Sequence, residues 1–208
     1  MQTIPNSFIK EALEYAVKSR EYTSNRHDFH EGGLDAKQRK MFEGKLGEKI
    51  FKVFLINNNI LFNEDSSSHE DADNYDFILP DGTTIDVKTR TEGFHTRTLE
   101  MVEQFRKNPK DIYVSIRLFF DDKKGFIIGW CTKEDILKVN KIENQGYLDN
   151  YVMYDNDLNN VNLLSQKLME HQVWKEITYG YSLKNAQKMK LLVRLLKNLQ
   201  KITTLHAS

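Results

Sequence analysis

A chain of 208 residues with 39% hydrophobic content suffices for one domain with its own core, and ten glycines and three prolines exclude collagen-like or low-complexity sequence. Thirty basic residues balance thirty acidic ones, which argues against coating nucleic acid by bulk charge but leaves room for a local basic face around a site. The single cysteine, Cys131, excludes an intrachain disulfide and a four-thiolate zinc site and leaves no basis for an iron–sulfur cluster. The N-terminus has acidic residues inside its apolar stretch, unlike a signal peptide, and no run approaches the roughly 18 to 20 apolar residues of a membrane span. A soluble, cytoplasmic protein without membrane partners is expected.

In chain order, Phe8, Ile9, Ala12, Leu13, Ala16 and Val17 recur at helical spacing, predicting a helix over residues 5–20 capped by Asn6 or Ser7. Residues 21–35 read as a loop. A second helix is expected from Lys37 to Asn57, its stripe formed by Met41, Ile50, Phe51, Phe54 and Leu55, and Asn57–Asn59 marks its end. Ile60–Phe62 reads as a short strand, followed by an exposed acidic loop, NEDSSSHEDADN. Strands over Tyr75–Leu79 and Thr83–Thr89 are joined by Pro80-Asp81-Gly82, where proline presets one dihedral and glycine permits the left-handed one. Residues 98–107 read as a short helix. Ile112–Phe120 and Gly125–Trp130 form a second hairpin about Asp121–Lys124, Thr132 opens a helix over KEDILKV, and residues 151–154 add a late strand. The C-terminal region, 156–208, is expected to be helical.

The chemistry concentrates in YDFILPDGTTIDVKTRT. On a strand Asp86 and Lys88 project from one face while Ile85 and Val87 project from the other, and the turn folds Asp76 back towards Asp86. Two carboxylates beside an ammonium repel each other, and a divalent cation relieves the repulsion; magnesium takes one or two carboxylates plus water and phosphate oxygens. Lys88, expected on an exposed sheet face, is placed to orient or help deprotonate an attacking water. Alone, an Asp-x-Lys on a strand is more often a solvated ion pair.

Asp76, a turn, then Asp86-Val87-Lys88 resembles the motif of the PD-(D/E)xK nucleases, with Tyr75 in place of the motif's proline. The resemblance covers about residues 37–135 and implies a restriction-endonuclease-like α/β fold. That fold has a central mixed sheet flanked by helices, here with an N-terminal helical extension (1–35) and a C-terminal helical region in one nuclease domain. In that family the first core helix often supplies a glutamate to the metal site, commonly after a glycine. In EGKLGEKIFKVFL the match is Glu48 after Gly47, with Glu43 second; five residues apart, about 500° around a helix, they point roughly 140° apart. GFIIGWCTKEDI matches the strand and turn that follow the core in many members. The resemblance implies an endodeoxyribonuclease using Mg2+, with Mn2+ substituting, held by Asp76, Asp86 and Glu48, and no organic cofactor. A restriction-type enzyme on duplex DNA is the preferred subclass, with a structure-specific repair, recombination or phage nuclease as the alternative.

Arg90 continues the face of Asp86 and Lys88, and with Arg97 and Arg106 it is a candidate phosphate contact. Gln104 falls where some relatives place an active-site glutamine. His27, Asp28, His30 and Glu31 form a cluster that would grip zinc if helical, which defines a competing hydrolase reading, and His69, Glu70, Asp71 and Asp73 precede the motif. The segment from Lys184 to Lys201 carries six basic residues and no acid, with Met189, Leu192, Val193, Leu196 and Leu199 on an apolar face. It suits packing on the domain, lying along DNA, or a homodimer, which provides two sites for two strands. A non-catalytic DNA-binding module on the same fold leaves the retention of Asp76, Asp86 and Lys88 unexplained.

Overall fold

The computed structural model describes residues 1–19, 34–65, 75–144, 146 and 148–179. The His27–Glu31 and His69–Asp73 clusters and the basic segment from Lys184 to Lys201 lie outside the described residues. No helix among the described residues is long and apolar enough to cross a membrane.

The chain is mixed α/β. In order it forms β1 (Gln2–Thr3), α1 (Asn6–Lys18), α2 (Leu34–Asn57), β2 (Asn63–Glu64), β3 (Phe77–Ile78), β4 (Thr84–Arg90), β5 (Arg97–Met101), α3 (Val102–Lys107), β6 (Ile112–Phe119), β7 (Lys124–Thr132), α4 (Lys133–Val139), β8 (Ile142–Asn144) and β9 (Asp149–Tyr154). Two short 3-10 turns then lead into α5 (Leu164–Tyr179). A six-stranded mixed sheet runs β1-β7-β6-β4-β3-β2, with β4 and β6 parallel and the other neighbours antiparallel. A three-stranded sheet runs β5-β9-β8.

Alternation along β4 and β6 explains the layering. Ile85, Ile112, Val114, Ile116 and Leu118 pack with Leu46, Ile50, Phe51 and Leu55 of α2 in one core. Tyr113, from the other face of β6, joins Phe105, Cys131, Ile136, Tyr151 and Met153 in a second core beneath the small sheet, α3 and α4. Asp86 and Lys88, out of phase with Ile85, face this second side. Burial raises the Cys131 thiol to about 12, so it serves as a small apolar side chain.

The predicted turn is present: Gly82 has φ +94°, and its N–H donates to Leu79 O at 2.9 Å. Thr132 caps α4 by accepting from the Asp135 amide, and Asp135 returns the bond in a capping box. Other expectations need correction. α1 already includes Asn6 and Ser7, so Pro5 rather than either of them sits at the cap, and no side chain caps the helix. Ile60 is not in a strand: its amide closes α2 on Leu55 O at 2.9 Å after Asn59 turns left-handed (φ 54°). Pairing begins instead at Asn63–Glu64, within the stretch read as an exposed loop, where Lys49 and Lys52 hold Glu64 at 3.2 and 2.7 Å. Residues 98–107 are not one helix. Arg97–Met101 pair with β9 as a strand, and only Val102–Lys107 are helical. The late strand expected at residues 151–154 is present as β9, in this second sheet.

Candidate functional site

The site grows from an unfinished strand pairing. β3 pairs with β4 only through Phe77↔Ile85 and Ile78↔Thr84, which leaves the edge of β4 beyond Asp86 without a strand partner on that side. An unpaired amide on such an edge is costly, and Asp76 supplies the acceptor: Val87 N–H donates to Asp76 Oδ2 at 2.6 Å. The Asp76 amide in turn donates to Ile85 O at 3.0 Å, so backbone fixes this carboxylate at both ends. Burial first, then the charges of Glu48 and Asp86, push the Asp76 carboxyl well above its usual range; Lys45 and the Val87 amide oppose them.

Glu48 reaches this place because α2 lies against β4 at Gly47. A Cβ there would stand 1.8 Å from Thr89 Oγ1, so only glycine permits the approach. Lys45 pairs with Glu48 at 2.8 Å, one helical turn earlier. Burial works against the Lys45 ammonium, but Glu48 and Asp76 outweigh it and raise its pKa. Glu43 points elsewhere, to Arg39 at 2.8 Å, so Glu48 is the helix carboxylate whose charge Asp76 feels.

On the other side of the edge Lys88 stands between two carboxylates, Asp86 at 2.9 Å and Glu100 at 2.7 Å. Glu100 was not a sequence candidate, since a helix over residues 98–107 gave it no reason to face the motif. On β5 it alternates inward with Thr98, whose hydroxyl meets Ser115 Oγ at 2.5 Å. Burial lifts the Glu100 carboxyl, with Lys88 opposing and Asp86 adding to the lift. Burial likewise works against the Lys88 ammonium, but Asp86 and Glu100 prevail and raise its pKa. Lys88 is therefore not on an open face as expected: its side chain is 27% exposed. Asp86 Oδ2 and Glu100 Oε2 meet Lys88 as ion pairs and are otherwise buried without a hydrogen-bond partner. Lys110, also missed, lies near the same carboxylates; burial chiefly lowers its pKa.

Beside Lys88 the open edge of β4 floors a cleft of about 500 Å³, walled by Lys40, Glu43 and Gly44 of α2 and by His95, Arg97, Thr98 and Leu99. Arg90 and Arg97 line it, yet both are engaged: Arg90, 6% exposed, pairs with Asp155 at 2.7 Å, and Arg97 pairs with Glu143 at 2.6 Å. Lys40 is exposed, and none of the described carboxylates pairs with it. Gln104 and Arg106 are exposed on α3, outside the cleft lining.

The structure thus brings Asp76, Asp86, Lys88 and Glu48 to one edge and adds Glu100 and Lys45. Carboxylate oxygens suit a hard cation such as Mg2+ or Mn2+, and Asp86 Oδ2, buried without a hydrogen-bond partner although 2.9 Å from the Lys88 ammonium, fits that use. Among the described residues, no three His, Cys, Asp or Glu side chains are gathered tightly enough to hold a metal ion, the nearby charge being met by Lys45 and Lys88. No family model matches the chain, and no curated protein or solved structure shows significant similarity to it.

Proposed function

We propose that this chain is a metal-dependent endodeoxyribonuclease built on a restriction-endonuclease-like core. One observation carries the reading. Asp76, fixed on the Val87 amide, feels both Glu48 from the helix side and Asp86 from the strand side, while Lys88 lies two residues beyond Asp86 at the wall of a cleft.

In this reading Asp76, Asp86 and Glu48, not drawn tightly together in the structure, would supply the carboxylates for Mg2+ or Mn2+. A divalent ion there supplies Lewis-acid activation of water and neutralises phosphate charge. The protein's own part is positional. Asp76 is oriented by backbone, Lys88 is kept protonated by Asp86 and Glu100, and its ammonium is aimed where charge develops on a phosphate. Lys40 offers the incoming phosphodiester a cation with no partner among the described carboxylates.

Incubating the purified protein with supercoiled, linear and single-stranded DNA, in Mg2+ or EDTA, tests the activity. Within it, Glu48→Gln should cut at least about 10²-fold more slowly than wild type, while Glu43→Gln stays within a few fold. Loss confined to Glu43→Gln would move the metal site to the cleft side of α2.

A further inference from the structure

Between β4 and β5 the chain passes through Thr91–Thr96, and two guanidinium groups fasten this loop from behind. Arg90 Nη1 donates to His95 O at 3.0 Å and Arg117 Nη2 donates to the same carbonyl at 2.6 Å; Arg117 Nη1 also donates to Glu92 O. The His95 amide closes the turn on Glu92 O at 3.1 Å. Both arginines are buried, at 6% and 9% exposure. A loop so held could tuck its one large apolar side chain inward, yet Phe94 stands 76% exposed. Its ring meets the His95 imidazole edge-on, with centroids 4.5 Å apart, and His95 lines the cleft with Lys88 and Arg97.

A phenyl ring held out in water beside a cleft that Lys40 lines is a poor arrangement for stability and a good one for stacking. Nucleobases present an aromatic face whatever their identity, and stacking on a side chain adds to phosphate attraction without reading sequence. In an intact duplex those faces are already covered by neighbouring base pairs. Phe94 can reach one only where stacking is broken, as in a single strand, a frayed end or an extruded base.

We propose that Phe94 is a base-stacking residue, and that the nucleic acid presented to this cleft carries an unpaired nucleotide beside the phosphate entering it. The proposal rests on the nuclease reading for the polymer it names, but it is tested by binding alone. It favours structure-specific substrates over uninterrupted duplex.

The experiment measures anisotropy of a fluorescein-labelled oligo-dT of about 20 nucleotides with the full chain, in Ca2+ and separately in EDTA. Two further probes are the same strand with abasic sites at its centre and a closed duplex hairpin. Phe94→Ala should weaken oligo-dT binding about ten-fold or more and leave hairpin binding unchanged. Wild type should bind the abasic strand as weakly as Phe94→Ala binds the intact one, and the variant should not distinguish the two strands. Phe94→Trp should retain binding, and its emission should change on saturation with oligo-dT. Melting should not move, since the ring is exposed. If Phe94→Ala binds oligo-dT like wild type, stacking is excluded and the ring faces some other partner, while the nuclease reading stands. If wild type binds none of the probes, the nuclease reading fails and this proposal fails with it.

Discussion

Alanine in place of Lys88 is expected to abolish cleavage and also to lower the melting temperature of the metal-free protein by roughly 4 to 8 °C. The rate loss follows from removing an ammonium that acts on charge developed at the transition state, typically about 10²- to 10³-fold. The stability loss follows from the neighbours. Asp86 and Glu100 side chains are only 20% and 9% exposed, and Lys88 is the cation between them. Stranding one member of a fully buried ion pair costs about 3 to 5 kcal/mol. Partial exposure and proton uptake by Glu100, whose pKa is already raised, reduce that to about 2 kcal/mol. Added Mg2+ should raise the melting temperature of Lys88→Ala more than that of wild type, because a divalent ion takes up the charge the lysine held. Calorimetric melts with and without Mg2+, paired with plasmid nicking, check both parts. A variant that melts and cuts like wild type would remove the lysine from the account.

Gly47→Ala is the second large effect, and its sign is diagnostic. In an open helix interior, alanine gains about 1 kcal/mol over glycine. At position 47 the new Cβ would lie 1.8 Å from Thr89 Oγ1 and 2.9 Å from Thr89 Cβ and Cγ2. Overpacking of this kind costs about 1 to 3 kcal/mol or more, so the steric term should win and the melting temperature should fall. α2 must then move off β4 and carry Glu48 away from Asp76, and a displacement of about 1 Å can cost up to 10²-fold in rate. Thr89→Ala removes the two γ-atoms of the clash but leaves Cβ at 2.9 Å, so the double variant should regain part of the lost stability. The corresponding coupling energy should fall within about 0.5 to 3 kcal/mol. A Gly47→Ala protein more stable than wild type would mean that helix and strand do not approach as described.

Local signals carried much of this structure. The turn at Pro80–Gly82 and the alternation of Ile85, Asp86, Val87 and Lys88 are properties of a few adjacent residues, and they place the acid pair and the lysine. Gly47-Glu48 was visible as a pair, although the reason for the glycine, the approach of Thr89, is not written in the helix itself. Glu100 was illegible for a different reason. Thr98–Met101 is too short to show a clear period, glutamate and methionine favour helix, and the strand exists because β9, some fifty residues later, pairs with it. The engagement of Arg90 and Arg97 depends on Asp155 and Glu143, carboxylates equally remote in sequence, so their candidacy as phosphate contacts could not be weighed beforehand. The open cleft was hidden too, because it arises from β3 being shorter than the hairpin pattern predicted.

We propose that carboxylates at the edge of β4 run metal-dependent cleavage of DNA. The direct measurement is plasmid cleavage by wild type and Asp86→Asn across a titration of Mg2+ or Mn2+, with EDTA as the zero point and melting curves as the folding control. Wild type should convert supercoiled plasmid only when the divalent ion is present. A folded Asp86→Asn should cut at least about 10²-fold more slowly at low metal and recover partly as metal rises. A folded wild-type protein that leaves plasmid intact at every metal concentration, or an Asp86→Asn protein that cuts at the wild-type rate throughout, would contradict this proposal.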